Sequence, residues 1–335
     1  MLRFLLKRTL SAIPVLFILS LVTFAIIKST PGDYGDVLRT RLMNQGGATF
    51  EQAEAEAQHY RAEHGLLDSI PVQYGRWMKG ILLHGDFGES FNTNEPVGEI
   101  VARRLPPTLA LALTCHFLAS VLGIGLGVVA ATNQYRWPDT VLSVLAFLGT
   151  TIPRFLLGIV MVYILVFRLN ALTVGSFFSP QFGGEPWSWA KFVDLVKHVW
   201  PVVAIATFGG LAYNMRVMRG NLLDTLNAQY VETARAKGLT DTQAVLKHAL
   251  PNAIHPLIAY QGVVLPYMLT GEIETAIIFA LPTIGPAIVQ AIYLGDSYVA
   301  ATFMLIIAVT LIVGNIIADL LLSLLDPRVR LQSAA

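Results

Sequence analysis

Five polar residues stand within long apolar runs: Arg154, Glu272, Glu274, Asn315 and Asp319. An ionisable group in a membrane span is costly and faces a partner or a water-filled cavity. Two uses are open to such groups. They can line a polar path and move with a gate, or they can form static interhelical pairs that fix packing. Asn315 and Asp319 are four apart and project from one helical face. Arg154 follows Pro153, and Glu272 and Glu274 follow Gly271. A cation so placed attracts a carboxylate, and an acid attracts an amine.

Covalent chemistry finds no such footing. The single cysteine, Cys115, excludes an intrachain disulfide, and it adjoins His116 on a different face of an apolar segment. His59 and His64 are five apart, and His248 and His255 flank a proline-containing junction, so no metal site is expected. No Gly-x-x-x-x-Gly-Lys-Ser/Thr loop occurs, so no cofactor is expected on this chain. Gly123-Ile-Gly125-Leu-Gly127 superficially matches a dinucleotide fingerprint. It lies inside an apolar run with no strand before it, and close helix packing through small residues is the better reading.

The elements that position these residues follow from composition. The 335 residues are 54% hydrophobic and 13% charged, with mean hydropathy +0.59. Soluble domains carry about 25% charge. A net charge of +1 offers no basic field for nucleic acid. The expected fold is therefore an all-α integral membrane protein. Six spans are predicted, near Leu10–Ile27, Leu109–Thr132, Thr140–Val166, His198–Tyr213, Ile254–Leu281 and Ala300–Leu325, or five without the weakly apolar fourth. The first is read as a retained helix, because its apolar stretch is long and no small-residue cleavage pattern follows.

Three domains are expected: residues 1–29 with the first span, a water-facing excursion over 30–104, and a core over 105–335. Between residues 30 and 100 stand eleven acidic and five basic residues, a net −6. Within them, Phe50–His64 predicts a surface helix that Thr49 or the glycines before it can start and Gly65 can end. Basic residues at the N-terminus, Arg136, the 216–251 loop and Arg328 and Arg330 share one side of the membrane when the span count is even. By the positive-inside rule both termini are cytoplasmic. Trp187 and Trp189 are candidate interfacial aromatics.

The 216–251 loop has its own pattern. Leu226–Lys237 suits a short amphipathic helix, Gly238 is placed to end it with positive φ, and Thr240 or Asp241 can cap a second helix that Pro251 limits. A helix–turn–helix outside the membrane is predicted. On pattern alone it is a connector.

This segment resembles the cytoplasmic EAA loop of ABC-importer membrane subunits. The matching residues are Glu232, Thr233, Ala234, then Gly238, then His248, Leu250 and Pro251. Thr233 stands where the pattern has Ala, and His248 where it has Ile. The runs Thr-Ala-Arg-Ala-Lys-Gly and His-Ala-Leu-Pro-Asn-Ala are similar to the dipeptide/oligopeptide permease branch, B-type subunit. Ile13-Pro14, Thr30-Pro31-Gly32-Asp33, Gly65-Leu66-Leu67-Asp68, Gly85-Asp86-Phe87-Gly88 and Asp326-Pro327-Arg328 extend the resemblance along the whole chain. Leu281-Pro282-Thr283-Ile284-Gly285 departs from the family's Pro-Gly-x-Gly.

The resemblance implies the type I ABC importer transmembrane fold and a permease for peptides or related small solutes in a bacterial inner membrane. It implies a second permease, two ATP-binding cassette subunits holding ATP and Mg, and an extracytoplasmic solute-binding protein. The loop would be the coupling element, with Glu232, Arg235 and Lys237 as contacts to the ATPase. Glu274 and Asp319 match acidic positions of the family and read as structural or gating. Arg154 and Glu272 are less typical of it and are candidates for substrate-specific effects. The competing readings are an ATP-independent secondary transporter or channel, and a membrane-anchored enzyme or scaffold. The first predicts inverted repeats that are not evident, and the second lacks a defensible nucleophile and base.

Overall fold

The computed structural model describes residues 2–29, 31–171, 174–258, 260 and 273–325, with backbone only for 2–5, 7, 318–319 and 321–325. Helices dominate. In chain order they are α1 (Leu2–Ser29), α2 (Tyr34–Gln45), α3 (Phe50–Glu63), α4 (Ile70–His84), α5 (Val97–Thr132), α6 (Trp137–Thr151), α7 (Arg154–Tyr163), α8 (Trp189–Leu226), α9 (Gln229–Ala236), α10 (Asp241–Ala244), α11 (Leu250–Ala253), α12 (Ile273–Ile278), α13 (Ile284–Tyr293) and α14 (Ser297–Leu325). Among the described residues the only β pairing is an isolated Glu89–Pro96 bridge. Two compact units emerge, residues 108–282 with 313–335, and residues 2–107 with 283–312.

Four helices are long and apolar enough to cross a bilayer, and a bent pair makes a fifth candidate. The expected first, second, fourth and sixth spans fall on α1, α5, α8 and α14. The expected fifth span, with Glu272, lies largely outside the described residues. The third is not one straight helix. Residues 137–151 and 154–168 are bent by 98°. Pro153 disfavours helical geometry in the residue before it, and Ile152 is extended at φ −77, ψ 124. Arg154 is therefore the first residue of α7 rather than the middle of a span.

In the first unit, α8 is the organising rod. Its 38 residues span about 57 Å at 1.5 Å per residue. Hydropathy alone assigns the fourth span less than half of this helix, because polar turns at either end lower the average. Small residues let neighbours approach it. A Cβ on Gly123 would stand 2.7 Å from Asn214 Cβ, and one on Gly127 2.6 Å from Met218 Cβ and 2.7 Å from the Met215 carbonyl oxygen. Gly125, on the other face, has nothing within 4 Å. The glycine run is a packing seam between α5 and α8.

Gly127→Ala is accordingly expected to destabilise the solubilised protein by about 1–3 kcal/mol through overpacking. Gly125→Ala should be neutral or better, since Ala is the stronger helix former by about 0.8–1.0 kcal/mol. Thermal unfolding in one detergent compares the two, and equal melting temperatures would refute the seam.

The second unit holds three helices between residues 30 and 100, where the sequence pattern predicts one. The predicted helix is α3, capped by Thr49 in a reciprocal box with Gln52. The two others carry quieter signals. Asp33 and Asp36 form a capping box for α2, and Ile70-Pro71 opens α4, which Gly85 ends at φ +66. Arg61 is nearly buried and binds Asp33 and Asp36, both at 2.9 Å, pinning α3 to the start of α2. A further clamp is Asp296, before α14. It accepts from Ser90 Oγ at 2.5 Å and from the Asn92 N–H at 3.4 Å. Burial pushes its carboxyl above the usual range, against these hydrogen bonds.

Candidate functional site

The segment after α8 folds back onto the end of that helix. Gln229–Ala236 forms α9, and the chain turns at Gly238 with φ +89. Thr240 then caps the next helix in a reciprocal box with Gln243. That helix is not stopped by Pro251, contrary to expectation. It runs α-helical over 241–244, π-helical over Val245–Ala249 and α-helical over Leu250–Ala253. A proline in a helix clashes with the carbonyl four residues earlier and lacks an N–H. Here the residue four earlier, Lys247, lies in the widened π turn, which accommodates the ring.

Burial fixes the orientation of this hairpin. Val231, Ala244, Val245, Ala249 and Ala253 pack with Met218 and Leu222 of α8 into one apolar cluster, with Leu250 partly buried against it. Asn221 Nδ2 donates to the Ala253 carbonyl at 3.2 Å. Arg235 Nε binds Asp241 Oδ1 at 3.0 Å and braces the turn. The hairpin is packed and hydrogen-bonded onto the end of α8.

The residues singled out by the loop pattern divide by exposure. Glu232, Thr233, Arg235, Lys237, Gly238 and Pro251 are exposed. Ala234 is buried, so it packs rather than docks. His248 and Leu250 are half-buried. Glu232 and Lys237 have no side-chain ion pair among the described residues, and both side chains are exposed.

One pair escaped the sequence reading. Arg219, on α8, donates through Nε to Asp139 Oδ1 at 2.6 Å and through Nη2 to Oδ2 at 2.8 Å. Asp139 sits in the first turn of α6 and is 4% exposed. It also accepts from the Tyr135 N–H at 2.9 Å and Ser143 Oγ at 3.3 Å. This bidentate pair ties α6 to α8 two turns before the hairpin begins. Eighty positions separate the partners, so no local pattern announces them.

The candidate path residues are more scattered. The Arg154 guanidinium lies 3.3 Å from where a Cβ on Gly209 of α8 would stand, so the glycine makes room for it. Glu274, in the first turn of α12, and Asn315, on α14, are exposed within this chain. Glu272 and the Asp319 side chain lie outside the described residues. Among the described residues no three His, Cys, Asp or Glu side chains cluster as a metal site.

Residues 123–331 match the family described as binding-protein-dependent transport system inner membrane component. Residues 1–112 match the N-terminal region of such membrane components. The chain is 32% identical over 330 residues to the oligopeptide transport system permease protein AppB of Bacillus subtilis, covering 97% of this chain and 98% of that one. It is 34% identical over 325 residues, with the same coverages, to a Brucella abortus protein named as a peptide transport system permease.

Proposed function

Because this chain belongs to the family of binding-protein-dependent transport system inner membrane components, we propose that it carries peptides or related small solutes as half of an ATP-driven importer. Membership makes it a transport subunit of the inner membrane with the type I importer fold. The further reading adds a second permease beside it, two ATPase subunits holding ATP and Mg, and a solute-binding protein on the opposite side. Both termini and the 229–253 hairpin then face the cytoplasm. The peptide assignment rests on the names of the relatives.

The observation that carries the coupling role is the hairpin itself. Its apolar side is buried on α8, its outer side offers Glu232 and Lys237 with no ion pair, and α8 runs on into the apolar region. A conformational equilibrium shifts only by the differential affinity of a ligand for its two states. ATP supplies that difference to the ATPase pair. A hairpin fastened to the end of a 38-residue helix can pass displacement along that helix. Arg154 at the bend and Glu274 at the start of α12 are proposed to meet the solute or the gate, with Glu272, Asn315 and Asp319.

Glu232→Cys in a Cys115→Ser background tests the docking face. The expected result is a crosslink to an ATPase subunit whose yield changes when ATP is trapped. Absence of any crosslink from Glu232→Cys and from Lys237→Cys in an assembled complex would refute it.

A further inference from the structure

The second unit contains a groove of about 850 Å³ that the transport reading does not use. It begins at Ile26, Ile27 and Lys28 in the last turns of α1, passes along α2, and is closed by the Ala291–Ser297 segment and Met304 of α14. Two helices of membrane-spanning character thus end at its floor. Only 17% of the most apolar window of α1 is buried within this chain, so that floor is continuous with a surface suited to lipid.

Charge on the groove wall is one-sided once pairing is considered. The acids Asp33 and Asp36 are taken by Arg61, and Asp36 also by Arg39 at 3.1 Å. Asp68 is taken by Arg76 at 2.5 Å. The bases form no ion pair among the described residues, although Asp33 and Asp296 lie near enough to act on the Lys28 charge. Lys28 lies over the Phe24 ring at 5.9 Å, and Arg41 donates to the neutral Asn92 Oδ1 at 3.0 Å. Neither has a carboxylate within ion-pair distance among the described residues. Asp296, the nearest further acid in sequence, turns its carboxylate to Ser90 and the Asn92 N–H and is not on this wall.

Two wall residues also carry unsatisfied polar atoms. Ser297 Oγ and Gln73 Oε1 have no hydrogen-bond partner, although the residues are 5% and 3% exposed; of the two only the Ser297 hydroxyl can donate to an anion. Ser297 is the first residue of α14, where Asp296 Oδ1 already accepts from the Val299 N–H at 3.5 Å, so the orphan hydroxyl rather than the helix end is the available donor. Buried polar groups are as a rule satisfied. Unpaired cations, an orphan hydroxyl at a helix start, and apolar walls at the ends of spans together select one chemistry.

We propose that this groove binds the phosphate headgroup of an anionic phospholipid. Lys28 stands at its membrane end, Arg41 at its water end, and the first acyl segment lies against Ile26, Ile27 and Met304. The inference rests on the chain spanning a membrane and not on what it transports. Bound lipid would steady the junction between α1, α2 and the start of α14.

The test uses the intact complex in nanodiscs. Phosphatidylglycerol retained through detergent exchange is counted by native mass spectrometry for wild type, Arg41→Gln and Lys28→Gln/Arg41→Gln. Each basic residue near a membrane surface contributes about 1 kcal/mol toward anionic lipid. Retention is therefore expected to fall about fivefold for the single variant and more for the double, with no such difference in phosphatidylcholine. Arg41 is exposed, so its variant should fold even if the double does not. Equal phosphatidylglycerol retention by wild type and Arg41→Gln would overturn the proposal. Displacement of the bound anion by millimolar inorganic phosphate would overturn the lipid assignment in favour of a free-phosphate site.

Discussion

Gly238→Val is expected to reduce ATP-driven uptake at least about tenfold while leaving the membrane-spanning part of the chain folded. The turn at Gly238 has φ +89, a conformation that L side chains adopt at a cost of about 1–2 kcal/mol and β-branched ones more. No neighbouring atom lies within 4 Å of a Cβ there, so the effect is backbone strain alone. The chain can relieve the strain only by re-aiming α9 against the second helix. That moves Glu232 and Lys237 off their proposed docking position and shifts Val231 within the α8 cluster, whose other members lie on α8 and the second helix. Gly238→Asn, which tolerates positive φ, should recover much of the loss. Uptake assays on both variants, normalised to assembled complex, check this. Equal activity of Val and Gly at this position would show that hairpin geometry does not matter to transport.

The second large effect falls on the pair that joins α6 to α8. Asp139→Ala leaves the Arg219 guanidinium in a partly buried site without its carboxylate. Arg219 retains 27% side-chain exposure. The loss of stability should therefore be about 2–3 kcal/mol, under the roughly 3–5 kcal/mol of a fully buried pair. The double replacement Asp139→Leu/Arg219→Leu separates two roles. Apolar replacement of both partners commonly restores stability. If the pair only fastens helices, transport returns with the melting temperature. If it also carries movement from the hairpin into α6, the double variant is stable and still transports poorly. The position of the pair, two turns before the hairpin, favours the second result. Full uptake by the double variant would assign Asp139 and Arg219 to packing alone.

The sequence spoke most clearly where local physics sufficed. The Thr49 cap of α3, the positive φ of Gly238, the Thr240 cap and the glycine seam of α5 are short-range effects, and each appears at its expected place. Pro153 was visible, but its consequence depended on what surrounds it. A proline can kink a span or end a helix, and here it turns the chain by 98°. The opposite happened at Pro251, where a π turn absorbs the ring and the helix continues. Helix α2 was missed because its pattern is only weakly amphipathic, and α4 because Pro71 reads as loop punctuation although it stands in the first turn of the helix. The docking face was legible only as a residue set. Which members point outward depended on packing against α8, and that moved Ala234 from contact to core. Arg219 with Asp139 and the groove beside Lys28 join residues far apart in sequence, so they required the fold.

The central claim is that this chain moves solute only when an ATPase acts on its hairpin. The direct measurement is solute uptake into proteoliposomes containing this chain, its partner permease and the binding protein, with and without the ATPase subunits and ATP. The account predicts accumulation of peptide that requires both ATPase and ATP, and that is lost in Gly238→Val. Accumulation driven by an ion gradient in vesicles lacking the ATPase would contradict it.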